Sequence, residues 1–152
     1  MEEKRNFDLL TLGQVLLRLS PPNNDRLVRG DTFVKQVGGA ELNVAVGVAL
    51  LGLRTGVISK LPSHDMGSFM KGKIRSYGVS DDFFMYDDSP SARVGIYYYE
   101  NGAYPRKPKV IYDRANSSFY SLKIDEIPEK AYTASRCFHT SGITLALSPK
   151  VR

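Results

Sequence analysis

The chain has 152 residues, room for one ordinary domain, and its 42% hydrophobic and 24% charged residues are typical of a globular protein. A formal net charge of +5 favours anionic ligands in general but is too small to indicate nucleic acid. The longest nearly unbroken apolar stretch, residues 44–53, is about half as long as a bilayer span requires. The charged N-terminus is not followed by the apolar segment of a secretory signal. We therefore expect a soluble cytoplasmic protein without a membrane partner.

The first sixty residues predict a strand–helix–strand unit. Residues 8–12 form a short apolar run that predicts a buried strand, residues 15–19 continue in extended style, and residues 32–37 predict another short strand. From Ala40 the apolar spacing becomes helical and ends at a glycine, before a further strand at residues 54–60. The helix is apolar nearly all round, so we expect it to be buried.

The remaining elements continue the same alternation. The sequence predicts an amphipathic helix over residues 66–77, strands at 82–86, 93–100, 110–114 and 136–141, and the start of a helix at Ser148 and Pro149. A strand, a buried helix and another strand in succession indicate a βαβ unit, and hence an α/β fold with a parallel sheet.

Gly38 and Gly39 open the apolar helix and form the first candidate site. Two glycines let the backbone turn sharply and approach a ligand, and the helix start presents free N–H groups. Glu41 and Asn43 are polar side chains in its first turn, where the hydroxyls of a sugar could be their partners. Alternatively, the glycines form an ordinary turn, and both polar side chains have structural partners.

A tyrosine-rich segment forms the second candidate site. Tyr97 and Tyr99 share one face of a strand, and Tyr112 and Arg114 share a face of the next. Phenol hydroxyls beside a guanidinium can bind a carboxylate and neighbouring hydroxyls together. Cross-strand aromatic packing with an exposed arginine is the plain alternative, and a nucleic-acid platform is the least favoured one.

Metal and thiol chemistry find little support in the sequence. Neither His64 nor His139 has a second histidine or a cysteine at metal-ligand spacing, so no metal site is predicted. Cys137 is the single cysteine, and it can neither form an internal disulfide nor hold a structural zinc alone. We expect it to be a small buried residue.

The motifs together resemble a known family. Residues 37–45, VGGAELNVA, with LG at 51–52, resemble the N-terminal signature of the ribokinase-like (PfkB) carbohydrate kinases. Within that family, the segments GIY, VIYDR and HTSGIT, which begin at residues 95, 110 and 139, are most similar to those of the 2-keto-3-deoxygluconate kinases. The resemblance runs through essentially all of the chain.

The resemblance implies a fold and a set of substrate contacts. The chain would be the N-terminal half of a ribokinase-like α/β/α sandwich, with a small β-sheet lid from residues 15–37 and 93–114. Arg114 would pair with the acid group of a keto-deoxy sugar acid. The other implied substrate-binding residues are Gly38, Gly39, Asn43, Tyr97, Tyr112 and Ile143. Gln14 stands where many relatives have glutamate, so the resemblance assigns that position no polar role.

Length is the main departure from the family, whose members are about twice this size. The resemblance implies that the ATP-binding half, with its general-base aspartate, is absent and that the parent uses ATP and Mg²⁺. We therefore expect no catalytic residue in this chain, no cofactor bound to it and no kinase activity from it alone. We also expect it to form homo-oligomers, with the lid as the candidate interface. The alternatives are a fragment of a fructokinase-like hexose kinase and a non-catalytic sugar-binding or interaction module.

Overall fold

The computed structural model describes residues 6–147, and the helix start predicted at Ser148 and Pro149 lies outside that range. The strands are β1 Phe7–Leu12, β2 Leu16–Ser20, β3 Val34–Gly38, β4 Thr55–Pro62, β5 Val79–Asp87, β6 Gly95–Glu100, β7 Lys109–Asp113 and β8 Ser135–His139. The helices are α1 Ala40–Leu50, α2 Asp65–Ser76, α3 Lys130–Thr133 and α4 Gly142–Leu145. Most predicted elements are therefore present, with ends that move by one to three residues.

Four strands form a parallel sheet in the order β5-β4-β1-β8. All eight residues of β4 are buried, because helices or loops cover both faces of this strand. Leu42 of α1 and Met70 of α2 pack with Val57 on one face. Phe83 and Ala131 belong to the core cluster of the opposite face, where α3 lies. The predicted α/β fold with a parallel sheet is confirmed.

Helix α1 corrects one prediction, because it is not buried all round. Leu42 and Ala45 face the sheet, whereas Val44 is 39% exposed and Leu50 80% exposed. The helix packs on β1 and β4 along one stripe only. Within residues 6–147 no further element covers the outer side of α1. The apolar sequence of this helix therefore predicted more burial than the structure shows.

Strand β8 corrects a second prediction. Among the strands of residues 6–147 it pairs with β1 alone, at the edge of the parallel sheet, and Cys137 on it is exposed rather than buried. The apolar character of a strand segment does not show whether the strand is central or at the edge of its sheet. The exposure of its side chains depends on that position.

The remaining four strands form a mixed sheet in the order β3-β2-β6-β7. Strands β2 and β6 are parallel, and the other two pairs are antiparallel. This sheet is built from the two segments that the sequence analysis interprets as a lid. Its residues alternate between two faces, and one face looks toward the start of α1.

Glu100 anchors the outer end of the mixed sheet. Its carboxylate accepts hydrogen bonds from the Leu27 N–H at 2.9 Å and from Arg106 Nη1 at 2.9 Å. The Leu27 N–H bond, followed by the nearby charge of Arg106, lowers the pKa of Glu100 despite partial desolvation. Arg106 also donates to the Asn24 carbonyl at 2.8 Å, so one ion pair holds two long loops together.

No helix within residues 6–147 is both long and apolar enough to cross a bilayer.

Candidate substrate site

The turn into α1 forms one wall of the site. Gly39 has a φ of +152°, which L side chains rarely adopt, and a Cβ there would lie 2.6 Å from the Gln14 carbonyl oxygen. The turn therefore requires glycine at this position. The Asn43 N–H donates to the Gly39 carbonyl at 2.8 Å, which begins the helix. The Asn43 side chain is exposed and has no hydrogen-bond partner within residues 6–147.

Glu41 has a structural partner instead. It is 1% exposed, and its carboxylate accepts hydrogen bonds from the Ser141 N–H at 3.0 Å and the Ser141 hydroxyl at 2.6 Å. The other oxygen lies over Gly13, where any side chain would overlap it. Glu41 therefore has a structural role, as the second interpretation of this turn predicted. Asn43 is the polar side chain of the turn that remains available to a ligand.

The facing wall is the inner face of the mixed sheet. Arg18 of β2, Tyr97 of β6 and Tyr112 of β7 lie side by side in register across three strands. The Tyr97 and Tyr112 rings are 6.0 Å apart between centroids. Burial raises the pKa of Tyr97, with the Arg18 charge opposing it, so the phenol stays protonated near neutral pH. A Cβ at Gly38 would come within 2.7 Å of the Tyr97 hydroxyl, so glycine makes room for this ring.

Arg114 follows β7 on the same face as Tyr112. Its guanidinium carbon lies 5.6 Å from the centre of the Tyr112 ring, and its Nε is buried without a hydrogen-bond partner. No carboxylate pairs with this arginine in the described part of the chain. Gln14 holds the backbone behind it, with Nε2 donating to the Ser117 hydroxyl at 2.6 Å. The guanidinium is therefore positioned but has no counter-ion.

The two walls enclose a cavity of about 340 Å³. Six of the seven residues proposed as substrate contacts line it, namely Gly39, Asn43, Tyr97, Tyr112, Arg114 and Ile143. Gly38 lies directly behind Tyr97 and is not part of the lining. Their binding roles remain predictions, but the structure places residues from the helix start and the tyrosine-rich strands around one space.

Three buried polar atoms of the lining have no hydrogen-bond partner among residues 6–147. They are Gln14 Oε1, Thr144 Oγ1 and the Arg114 Nε already described. Gln14 is 3% exposed and Thr144 is 1% exposed, and buried polar groups without a partner are rare in folded proteins. The Gln14 amide oxygen is an acceptor and the Thr144 hydroxyl can donate or accept, and both residues belong to the cavity lining.

The described residues do not form a metal site. Within residues 6–147 no three His, Cys, Asp or Glu side chains come together in a way that could hold an ion. The one carboxylate in the lining belongs to Glu41, which already accepts two hydrogen bonds from Ser141. The cavity is therefore suited to an organic anion with hydroxyl groups rather than to a bound cation.

The family model described as "pfkB family carbohydrate kinase" matches residues 6–152. The chain belongs to the pfkB family of carbohydrate kinases. It is 38% identical over 145 residues to a 2-dehydro-3-deoxygalactonokinase of Haloferax volcanii, a match over 95% of this chain and 45% of the relative. It is 32% identical over 147 residues to a 5-dehydro-2-deoxygluconokinase of Listeria innocua, covering 96% of this chain and 45% of that one.

A solved structure has the same fold over this chain. The crystal structure of a 2-dehydro-3-deoxygluconokinase from Thermotoga maritima matches with a TM-score of 0.88 and 39% identity, over 94% of this chain and 43% of the solved chain. The pfkB chain described here thus spans less than half the length of the relatives that it matches. This agrees with the expectation of an N-terminal, ribokinase-like portion.

Sequence reasoning about this pfkB chain missed Arg18 and Thr144. Both line the cavity, and the sequence contained a signal for Arg18, because this charged residue interrupts the leucines of β2 and shares one strand face with Leu16. Gln14 was noticed but given no role, although its side chain lies at the cavity. Thr144 lies on a four-residue helix whose burial no local pattern indicates.

Proposed function

We propose that this chain is the sugar-binding portion of an ATP-dependent carbohydrate kinase, and that its cavity takes 2-keto-3-deoxygluconate or a related keto-deoxy sugar acid. The observation that carries the proposal is Arg114, a guanidinium without a counter-ion among the described residues, in a cavity that also contains Asn43 and the phenols of Tyr97 and Tyr112. The relatives named after dehydro-deoxy sugar acids support the same substrate class.

Each side chain has a distinct task in this proposal. Arg114 holds the carboxylate through charge-assisted hydrogen bonds, which are stronger than neutral ones. Asn43 offers both a donor and an acceptor to the hydroxyls at the start of α1. The hydroxyls of Tyr97 and Tyr112 contact the sugar from the mixed sheet, and their rings exclude water from one side of it. The chain's own residues thus bind and orient the sugar.

ATP, Mg²⁺ and the general base belong, in this proposal, to the parent kinase. The described residues do not fit a magnesium ion, since no carboxylate cluster occurs among them. The sequence also contains no glycine-rich loop with the Gly-Lys-Ser/Thr ending of a P-loop. We therefore expect the chain to bind the sugar acid but to release no ADP from ATP in a coupled assay.

Calorimetric titration of the 152-residue chain with 2-keto-3-deoxygluconate tests the substrate class. Arg114→Gln removes the cation, and we expect it to weaken binding about tenfold or more, as loss of a charged hydrogen bond does. Lys109→Gln is the matched control, because Lys109 lies on β7, the strand that Arg114 follows, and outside the cavity lining. It should leave the affinity unchanged.

Fructose serves as the neutral comparison ligand in the same titration. We expect it to bind more weakly than the sugar acid and to be insensitive to Arg114→Gln. Equal binding of both sugars, or equal losses for both in the variant, would favour a hexose kinase instead. Wild-type chain that binds neither ligand would overturn the proposed function.

A further inference from the structure

We propose that Arg93 is a positioning residue for Arg114: its side chain holds the bend that presents Arg114 to the cavity, and it thereby increases the preference of the site for sugar acids over neutral sugars. The inference rests on the proposed function, because it assumes that Arg114 contacts the carboxylate of the ligand. Arg93 precedes β6 and lies outside the cavity lining, so it acts through Arg114 and not by touching the sugar.

Arg114 lies just beyond the paired part of β7. The last residue pair of β6 and β7 joins Ile96 to Asp113, and Arg114 is the next residue. Two residues later the chain turns at Asn116, whose φ is +54°. A side chain between a strand end and such a turn is mobile unless other contacts hold its backbone. The orientation of Arg114 therefore depends on the contacts of residues 113–118.

The Arg93 guanidinium bridges the two backbone carbonyls that flank Arg114. Nη1 donates to the Ala115 carbonyl at 2.9 Å, and Nη2 donates to the Asp113 carbonyl at 3.3 Å. Nη2 also pairs with the Asp113 carboxylate at 2.8 Å. A guanidinium is planar and its donors have fixed directions, so these contacts, the Arg93 fork, set the separation of residues 113 and 115. The backbone of Arg114 is thereby fixed from both sides.

The backbone of Arg93 holds the far end of the same segment. The Ser118 N–H donates to the Arg93 carbonyl at 2.9 Å, and the Arg93 N–H donates to the Ser118 hydroxyl at 3.2 Å. Gln14 Nε2 adds a third contact, to the Ser117 hydroxyl at 2.6 Å. A substitution at Arg93 removes the Arg93 fork while these contacts remain, so its effect is confined to the bend around Arg114.

The Arg93 fork should matter more for binding than for folding. The Arg93 side chain is 37% exposed and the Asp113 side chain 52% exposed, and ion pairs with this exposure contribute little to stability. A sugar acid that binds a loosened Arg114 must first order its guanidinium, and ordering one long side chain weakens binding about three- to tenfold. A neutral sugar does not need the Arg114 charge, so its affinity should stay the same.

Calorimetric titration of the wild type, Arg93→Gln and Arg93→Lys with 2-keto-3-deoxygluconate and with fructose tests this role. Arg93→Lys keeps the charge, but a lysine cannot bridge the two carbonyls in the same geometry. We expect both variants to bind the acid about three- to tenfold more weakly and to bind fructose within about twofold of wild type. In an Arg114→Gln background neither substitution should weaken acid binding further, because a residue that acts through Arg114 has no effect without it.

Arg106→Lys is the matched control. Arg106 makes a similar pair of contacts at the other end of β6, to the Glu100 carboxylate at 2.9 Å and the Asn24 carbonyl at 2.8 Å, and it lies outside the cavity lining. The substitution removes the same geometry from the same sheet and should leave the affinity for the acid unchanged. Far-ultraviolet circular dichroism checks that each variant is folded.

The possible results separate this inference from the proposed function. Wild-type affinity for the acid in either Arg93 variant overturns the role of the Arg93 fork, and in Arg93→Lys it would show a general charge effect. Equal losses for acid and fructose, a further loss in the Arg114→Gln background, or the same loss in Arg106→Lys would show a general structural effect and overturn it too. All of these results leave the proposed function standing. Wild-type chain that binds neither ligand overturns both proposals.

Discussion

Every residue of β4 in the parallel sheet is buried, whereas every residue of β7 in the mixed sheet is exposed. The parallel sheet gains its stability from apolar side chains covered on both faces. The mixed sheet instead turns tyrosines and arginines toward an open cavity, and its outer end depends on the Glu100 ion pair. The comparison indicates that one sheet maintains the fold while the other is available for ligand contacts, so changes in the two sheets should have separable effects.

The largest expected effect is on the core of the parallel sheet. Met70 is fully buried, and Met70→Ala should lower the free energy of unfolding by about 2–5 kcal/mol, through lost burial and the cavity that remains. Urea denaturation followed by circular dichroism measures this loss. Ile111→Ala in the mixed sheet is the counterpart. Ile111 is 44% exposed, so its loss should be below about 1 kcal/mol. Equal losses would contradict the division between the sheets.

A smaller effect is expected at Gly39, in the turn that connects β3 of the mixed sheet to α1. Gly39→Ala introduces a Cβ against the Gln14 carbonyl at a backbone conformation that alanine avoids, and we expect a loss of about 1–3 kcal/mol. Gly47→Ala is the matched control on the same helix, because its Cβ would meet nothing within 4 Å. This control should stabilise the chain by about 0.5–1 kcal/mol. Thermal unfolding of both variants should therefore shift in opposite directions.

The smallest effect concerns the pH response of the mixed sheet. The pKa of Glu100 is lowered by its hydrogen bond to the Leu27 N–H and by the Arg106 charge. The stabilising contribution is therefore complete above the ordinary glutamate pKa of about 4.3, and it is lost as the pH falls through the lower pKa of the folded state. Hydrogen exchange in residues 21–33, corrected for intrinsic rates, should rise between about pH 5 and about pH 3.

Glu100→Gln provides the control for that profile. The variant cannot titrate at this position, so its exchange in residues 21–33 should already be faster near neutral pH and should change less on acidification. Indistinguishable profiles of the wild type and the variant would show that Glu100 does not anchor this end of the sheet.

The sequence predicted the positions of the helices and strands better than the burial of their side chains. Periodicity located α1 because Leu42 and Ala45 recur at helical spacing, but it could not show that Leu50 is exposed, since that depends on which elements pack over the helix. Similarly, an apolar strand was predicted around Cys137, and the position of β8 at the sheet edge leaves this residue exposed. Local sequence patterns indicate the secondary structure of a segment, whereas the exposure of its side chains depends on long-range packing.

The candidate site was predictable where a motif or a strand alternation marked it. The glycine pair predicted the turn at Gly39, and alternation placed Tyr97 and Tyr99 on one face of β6. The assignment of Glu41 required coordinates, because its partner Ser141 is 100 residues away in the sequence. The same holds for Thr144, whose burial follows from packing.

The interaction between Glu41 and Ser141 also has a consequence for biosynthesis. It spans 100 residues, and the contact between Gln14 and Ser117 spans 103, so both wait until most of the described chain has emerged from the ribosome. A nascent polypeptide halted before Ser141 would leave the Glu41 carboxylate without either of its donors. Ligand recognition should thus be among the last properties that the growing polypeptide acquires, well after the first helix and the strands around it can form.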